Sequence, residues 1–285
     1  MNAGGAALPT RLGRLLGVEV DRVVDLGDGH EWTLHRATLA DGREVFVKDT
    51  SSGPEIFAAE AAGLRWLGEA GNGLAVPVLA VDERTLVLPW LDSEPPDPAA
   101  AERFGRELAA LHAAGASSYG AARPGFIARL PLDNTPGDSW PGWYAERRIE
   151  PFLRMAGADL GASGVRLVEQ VVRRIGELAG PAEPPSRIHG DLWSGNVLWS
   201  GGRGRLIDPA AHGGHRETDL AMLALFGAPR LDRIIAGYQE VAPLADGWRE
   251  RVPLHQLHPL LVHVALFGSS YTSAVVSAAR ASLRP

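Results

Sequence analysis

Cysteine is absent from the 285-residue chain, which excludes a disulfide scaffold, thiolate catalysis and cysteine-based zinc sites. Positive charge is in deficit as well: 28 Lys and Arg face 34 Asp and Glu, for a net charge of −6. No broad basic surface is then available to neutralise the phosphates of a duplex, and nucleic-acid binding is disfavoured. Residues 1–20 carry Arg11 and Arg14 but no continuous apolar core for a signal segment, and no later stretch reads as long enough to span a bilayer. The expectation is a cytoplasmic, soluble protein without a nucleic-acid or membrane partner. What is present is ordinary for a globular chain, with 45% apolar and 22% charged residues. The 34 Gly and 21 Pro are about a fifth of the chain, below the ~25–30% that marks low complexity. At ~150 residues per domain, the length leans towards two domains or lobes.

Lysine is the most informative scarcity. Every cation but one is arginine, and the exception is Lys48. A chain that uses Arg wherever a diffuse permanent charge suffices marks with its one Lys a place where a compact ammonium is wanted; chance retention is the plain alternative. Around it the first third is β-rich. Residues 32–39 are aromatic and β-branched, Asp41-Gly42 is a hairpin signal, and 44–48 resume as a strand that ends near Lys48. Gly27-Asp28-Gly29 reads as a glycine loop ahead of these strands. Residues 54–67 read as a helix with Phe57, Ala61, Leu64 and Leu67 on one face and Glu60 inside it. Two short strands follow at 76–81 and 85–90, and then the Pro- and acid-rich run 92–98, the best lobe boundary. Beyond it, helical periodicity marks 99–112, 165–178, 220–226 and 257–267, while 119–143 reads as a long loop. The expected architecture is α+β, with an N-terminal lobe over 1–91, a connection at about 88–93 and a mainly helical lobe over 92–285.

The chemistry concentrates in His189-Gly190-Asp191-Leu192-Trp193-Ser194-Gly195-Asn196, followed by a short strand and Asp208-Pro209-Ala210. Two carboxylates and an amide, close in sequence around a tight loop and the next hairpin, can converge on one point. Phosphoryl transfer uses such a set: a carboxylate to orient and deprotonate the attacking hydroxyl, and hard oxygen ligands for Mg²⁺ on the β- and γ-phosphates. Asp191 and Asn196 have the Asp-x-x-x-x-Asn spacing of a kinase catalytic loop, and Asp208 follows where a second metal-binding carboxylate belongs.

At these residues the chain resembles the protein-kinase-like superfamily, and within it the small-molecule kinases. The finer resemblance is to the fructosamine (ketosamine) kinase family and covers nearly the whole chain. It rests on Phe57-Ala-Ala-Glu60, Phe104 through His112, Phe126-Ile127 leading to Asn134 and Trp140, His189 through Asn196, Ile207-Asp-Pro-Ala210, Gly214-His-Arg-Glu217, and Leu260-Leu-Val-His263 running into Phe267-Gly268. Trp193 decides between this family and the aminoglycoside and choline kinases, which usually lack Trp-Ser after His-Gly-Asp-Leu.

The resemblance implies a two-lobed kinase-like fold using ATP and Mg²⁺. Lys48 would hold the α/β-phosphates and pair with Glu60, Gly27 and Gly29 would lie in a loop over the nucleotide, and Pro89 C=O and Leu91 N–H would face adenine. Asp191 would be the catalytic base, Asn196 and Asp208 the metal ligands, and His189 and Asp219 structural supports. A ketosamine would sit beside Asp191 with Trp193 and His263 lining its pocket, and its 3-phosphate product would decompose and release the amine. The plain alternatives are Trp193 as a core anchor and His263 as a satisfied polar group on a buried helix. Departures from kinase patterns are Gly190 in place of an Arg, Pro209-Ala210 in place of Phe-Gly, and Pro259 and Val262 where relatives more often carry polar residues. Asp28 and Glu31 make the glycine loop acidic, which near phosphates is repulsive unless they point away. A metal-hydrolase cluster of His212, His215 and Asp208 fits no compact ligand spacing, and His112 reads as structural. The competing functions are an aminoglycoside- or choline-type phosphotransferase and a nucleotide-binding pseudokinase scaffold. The latter is disfavoured because Lys48, Glu60, Asp191, Asn196 and Asp208 are all present. Preferred amine and oligomeric state are not encoded legibly.

Overall fold

The computed structural model describes residues 7–29, 32–50 and 54–284. Its first part is an antiparallel sheet carried between two helices. Helix α1 (Ala7–Leu16) leads into β1 (Val20–Gly29), β2 (Trp32–Leu39), β3 (Glu44–Asp49), helix α2 (Pro54–Gly68), β4 (Ala80–Val81) and β5 (Thr85–Pro89). The strands lie in the order β1-β2-β3-β5-β4. Alternation along β3 sets the site: Val45 and Val47 pack with Ala37, Leu39 and Val87 against Leu8 and Leu12 of α1, so Phe46 and Lys48 point to the opposite face. There Lys48, opposite Leu34 and Leu86 in the ladder, is only 3% exposed.

Two sequence expectations change in this lobe. Gly27-Asp28-Gly29 is the end of β1, paired with Leu34, Thr33 and Trp32 of β2, and not a loop ahead of the first strand. β1 escaped notice because register shifts at Val20/Arg22 and Asp25/Gly27 break its apolar alternation. Glu31 lies outside the described residues. The strand expected over 76–81 contracts to Ala80–Val81; Pro77, with no N–H to donate, cannot extend the ladder.

The second part begins with α3 (Pro98–Ala113), capped by Asp97, whose side chain accepts from the Ala100 N–H at 2.7 Å, with Pro98 in the first turn. The expected loop over 119–143 contains the hairpin β6 (Gly125–Ile127) and β7 (Leu130–Leu132) and the start of α4 (Trp140–Tyr144). A π-helical turn, Ala145–Ile149, then feeds α5 (Glu150–Leu178), which breaks at Gly161 (φ 63°, ψ 168°). β8 (Ser186–Ile188), β9 (Val197–Ser200), β10 (Arg203–Leu206) and β11 (His212–Gly214) form two small ladders, β9 with β10 and β8 with β11. Helices α6 (Arg216–Leu225), α7 (Leu231–Val241), α8 (Trp248–Phe267) and α9 (Thr272–Ser282) complete the chain. One apolar cluster joins Phe57, Leu64 and Leu67 of α2 and Leu88 of β5 to Phe104 and Leu108 of α3 and Leu206 of β10. This cluster bridges the sheet and the helices, while a second lies within the sheet part and a third within the helical part.

The expectation that no stretch could span a bilayer needs correction. Trp248–Ser282 is long and apolar enough to do so by length and composition, with a mean hydropathy of 1.4 over its window. In the fold α8 packs against α5, α6 and α9, burying Leu254, Leu257, Leu260 and Leu261 together with Arg251, His255 and His258. Pro259 sits inside α8 and cannot donate to the carbonyl four residues back. The Tyr144 hydroxyl donates to that His255 carbonyl at 3.0 Å instead.

Candidate active site

The loop between β8 and β9 carries the candidate catalytic residues and is held from behind by Asp219. This carboxylate on α6 is fully buried and accepts from the His189 N–H at 2.7 Å and the Gly190 N–H at 2.9 Å. His112 Nε2 lies 3.1 Å away, and its Nδ1 is 2.9 Å from the Tyr238 hydroxyl. Burial alone would raise the Asp219 pKa, but His112, His189 and the backbone donors hold it below the usual carboxylate value. His189 is buried, with Nε2 2.8 Å from the Ile207 carbonyl. The Gly190 backbone has φ +81°, and a Cβ there would meet the Ala210 oxygen at 2.4 Å. That close approach and the positive φ explain why this chain carries a glycine and not an arginine here.

Asn196 closes a short 3₁₀ turn, Ser194–Asn196, and faces Asp191, which lies in the loop just before that turn. The Asn196 amide donates to the Asp191 carbonyl at 2.8 Å and to its Oδ2 at 3.1 Å. Burial first, and then repulsion from Asp208, push the Asp191 carboxyl up to about 7, against the Asn196 hydrogen bond. Across the cleft Lys48 Nζ bonds both Glu60 oxygens at 2.9 Å and also reaches Asp208 Oδ1. Burial disfavours the ammonium, yet Glu60 and Asp208 raise its pKa above the ordinary value. Glu60 is itself pushed up by burial, against the pull of Lys48. Asp208 is held low: burial opposes its charge, but Lys48 outweighs it. Its backbone takes φ +54°, a left-handed conformation that aspartate tolerates better than most residues and that recurs at functional sites.

These groups share one cavity, open to solvent. Trp32 lies over Lys48, with its ring centroid 5.5 Å from Nζ, and the β6 hairpin with Asn134 forms the opposite wall. Trp193 also lines it. The indole is 40% exposed and folds over Gly195, where a Cβ would meet it at 2.3 Å, so it is not a core anchor. Gly27, Pro89, Leu91 and His263 are not among the lining residues. The two glycines lie at the hairpin end of β1, Pro89 closes β5 and Leu91 follows it. His263 stands on α8, reached from Trp193 through Phe226.

Sequence reasoning missed the support of the wall. The π-helical turn carries Arg148 into the interior, 1% exposed, where it donates to the Asp133 carbonyl at 2.8 Å and to Asn134 Oδ1, and stacks 4.3 Å over Trp143. Asn134 in turn holds the Arg123 carbonyl at 3.3 Å. Asn134 stood in the family motif, but nothing in local periodicity announces a π turn. The suggested cluster of His212, His215 and Asp208 does not form as read: His212 Nδ1 bonds the Ala210 carbonyl. His215, Glu217 and His255 gather instead, and Arg251 forks onto both Glu217 oxygens at 2.9 and 2.6 Å, supplying the positive charge there.

A sheet lysine paired to a helix glutamate above an Asp-x-x-x-x-Asn loop defines a protein-kinase-like phosphotransferase. The fold agrees: a macrolide 2′-phosphotransferase from Brachybacterium faecium matches with a TM-score of 0.61 at 16% identity, over 98% of each chain. The chain belongs to the fructosamine kinase family, whose model matches residues 11–284, and is a phosphotransferase with an alcohol acceptor. It is 37% identical to a probable ketoamine kinase of Thermus thermophilus, over 85% of this chain and 88% of that one. It is 34% identical to the probable ketoamine kinase YniA of Escherichia coli, over 89% of each. A crystal structure of a candidate fructosamine-3-kinase from Thermobifida fusca matches with a TM-score of 0.96 and 54% identity, over 99% of this chain and 100% of that one.

Proposed function

We propose that this protein transfers the γ-phosphoryl group of ATP to a sugar hydroxyl of a ketosamine, as a cytoplasmic enzyme that releases glycated amines. The observation that carries the reading is the convergence of the chain's one lysine with Glu60 and, 160 residues on, Asp208, in the same cavity as Asp191 and Asn196.

The residues suit a magnesium nucleotide. Asp208 keeps 38% of its side chain exposed towards the cavity. Asn196 spends its amide nitrogen on Asp191, so its oxygen is the atom available, and together they offer hard oxygen donors. Bound MgATP supplies the transferable phosphoryl group and neutralises the charge that builds on it. Lys48, positioned by Glu60, provides a point charge for the α/β-phosphates, with Gly27 and Gly29 over the nucleotide and Pro89 and Leu91 beside its base. Asp191, with its pKa raised towards neutrality, sits within reach of an acceptor hydroxyl, orients it and takes its proton. Trp193 offers the sugar C–H groups a flat aromatic face. His189 and Asp219 hold the loop that carries Asp191.

The test is ADP release with MgATP across ketosamines, aminoglycosides and choline, in the wild type and in Asp191→Asn. Ketosamines should be the acceptors turned over, and the variant should keep nucleotide affinity while losing at least ~10²-fold in kcat. Turnover of aminoglycosides or choline alone would move the protein to that branch of the fold. Binding of MgATP without turnover of any acceptor would make it a scaffold.

A further inference from the structure

Seven large apolar side chains stand exposed among the described residues, and three of them, Trp193 (40%), Phe226 (37%) and Phe267 (51%), belong to one strip of rings. The strip starts at Trp193, two residues from Asp191, and continues to Phe226 (centroids 6.2 Å apart), His263 (5.0 Å), and then Phe267 (5.6 Å) and Tyr271 (4.8 Å). Three separate stretches of chain contribute to it, the last running from His263 through Phe267 to Tyr271. Exposed aromatic surface of this extent marks a place where something binds.

Resting on the ketosamine reading above, we infer that this strip is the subsite for the amine substituent of the acceptor, and that it selects ketosamines whose protonated nitrogen carries an apolar body, aryl above alkyl. A ketosamine is a sugar joined through a secondary ammonium to such a substituent. With the sugar at Asp191 and Trp193, the nitrogen and its substituent leave along the rings, whose faces attract an ammonium and stack on an arene. Nothing cationic competes within the strip. His263 Nδ1 donates to the Pro259 carbonyl at 2.7 Å, and burial lowers the pKa of the imidazole, so Nε2 is left with its lone pair for an ammonium N–H. The Asp159 carboxylate on α5 lies against the turn that joins Phe267 to Tyr271, its Oδ1 3.9 Å from the Cβ position of Gly268, and gives the far rim the complementary charge.

The experiment compares 1-deoxy-1-(methylamino)fructose with 1-deoxy-1-(benzylamino)fructose, which share sugar and ammonium, as acceptors with saturating MgATP. The benzyl conjugate should show kcat/KM higher by about fivefold or more, mainly through KM. Phe267→Ala and Tyr271→Ala should each shrink that ratio towards one, whereas Val241→Ala, at an exposed apolar residue of α7, should leave it alone. Equal kcat/KM for the two conjugates, or a ratio indifferent to both ring deletions, overturns the subsite while leaving the kinase reading intact. Failure to phosphorylate either conjugate overturns the ketosamine reading and this inference with it.

Discussion

Mild acid should destabilise this protein through histidines that the fold keeps neutral, and His212 offers the cleanest measurement. The residue is 4% exposed, its Nδ1 donates to the Ala210 carbonyl at 2.7 Å, and its ring lies 5.2 Å from that of Trp143. Burial first, and then the Arg148 guanidinium, lower its pKa to about 3. His215 is lowered to about 3 as well, by burial and then by His255. Unfolded, both imidazoles titrate near ~6.5. In the interval between, the unfolded chain binds a proton that the folded chain refuses. The stability is therefore complete above the unfolded value and drains away as pH falls towards the folded one, at ~1.4 kcal/mol per pH unit for each histidine. Between about pH 7 and pH 5 that amounts to about 2 kcal/mol per imidazole, a large part of the ~5–15 kcal/mol that holds a typical domain.

The raised carboxyls work the other way. Asp191, pushed up to about 7, is protonated in the folded state before the unfolded one and adds stability over the same range. A single stability curve mixes these effects, so the decisive quantity is a difference of slopes. His212→Gln retains a side-chain N–H for the Ala210 carbonyl and removes the titration. Urea unfolding followed by tryptophan fluorescence should find the variant less stable at pH 7 but losing about 2 kcal/mol less than wild type by pH 5. Parallel curves would refute the argument, since they would mean that the folded protein accommodates an imidazolium at this position.

Lys48→Arg should fold and yet lose at least ~10²-fold in turnover, because a planar fork cannot take the place of a compact ammonium between Glu60 and Asp208; full activity in steady-state assays would reduce the single lysine to an accident of composition. Asp219→Ala strips the acceptor from two backbone N–H groups and from His112 at once, and should cost about 3–5 kcal/mol in urea unfolding. A loss under about 1 kcal/mol would show that those donors find other partners.

The parts of the site that were legible are those written locally or by composition. Asp191 and Asn196 lie five residues apart on one loop, so their spacing alone brings them together. Lys48 stood out because arginine serves everywhere else. Asp208 was legible as a metal-binding carboxylate from its place after the loop, whereas the role of Glu60 came only through resemblance, since nothing in a helix turn at 60 or a loop at 208 announces that both reach the same ammonium. Among the elements, α3 was visible almost to its ends because Phe104, Leu108 and Leu111 recur at helical spacing directly after the Pro- and acid-rich run at 92–98, whereas α5 begins fifteen residues before the periodicity expected at 165, behind a π turn and a break at Gly161. β1 was hidden by its own bulges. The ring strip could not be seen at all: its members come from a loop, the end of α6, α8 and the turn after it, and only the packing of α8 against α5 and α6 sets them side by side.

The burial of Lys48 has a chemical corollary. It is the only side-chain amine in the chain, it is 3% exposed, and its raised pKa keeps it protonated and therefore without a nucleophilic lone pair. Reducing sugars, acylating agents and amine-directed cross-linkers all need a free, accessible amine, and this protein shows them no lysine. An enzyme proposed to act on sugar adducts of amines would then present no lysine of its own on which such adducts could accumulate. The same chemistry gives a clean probe, because any acylation recovered at position 48 reports that the ion pairs around it have opened.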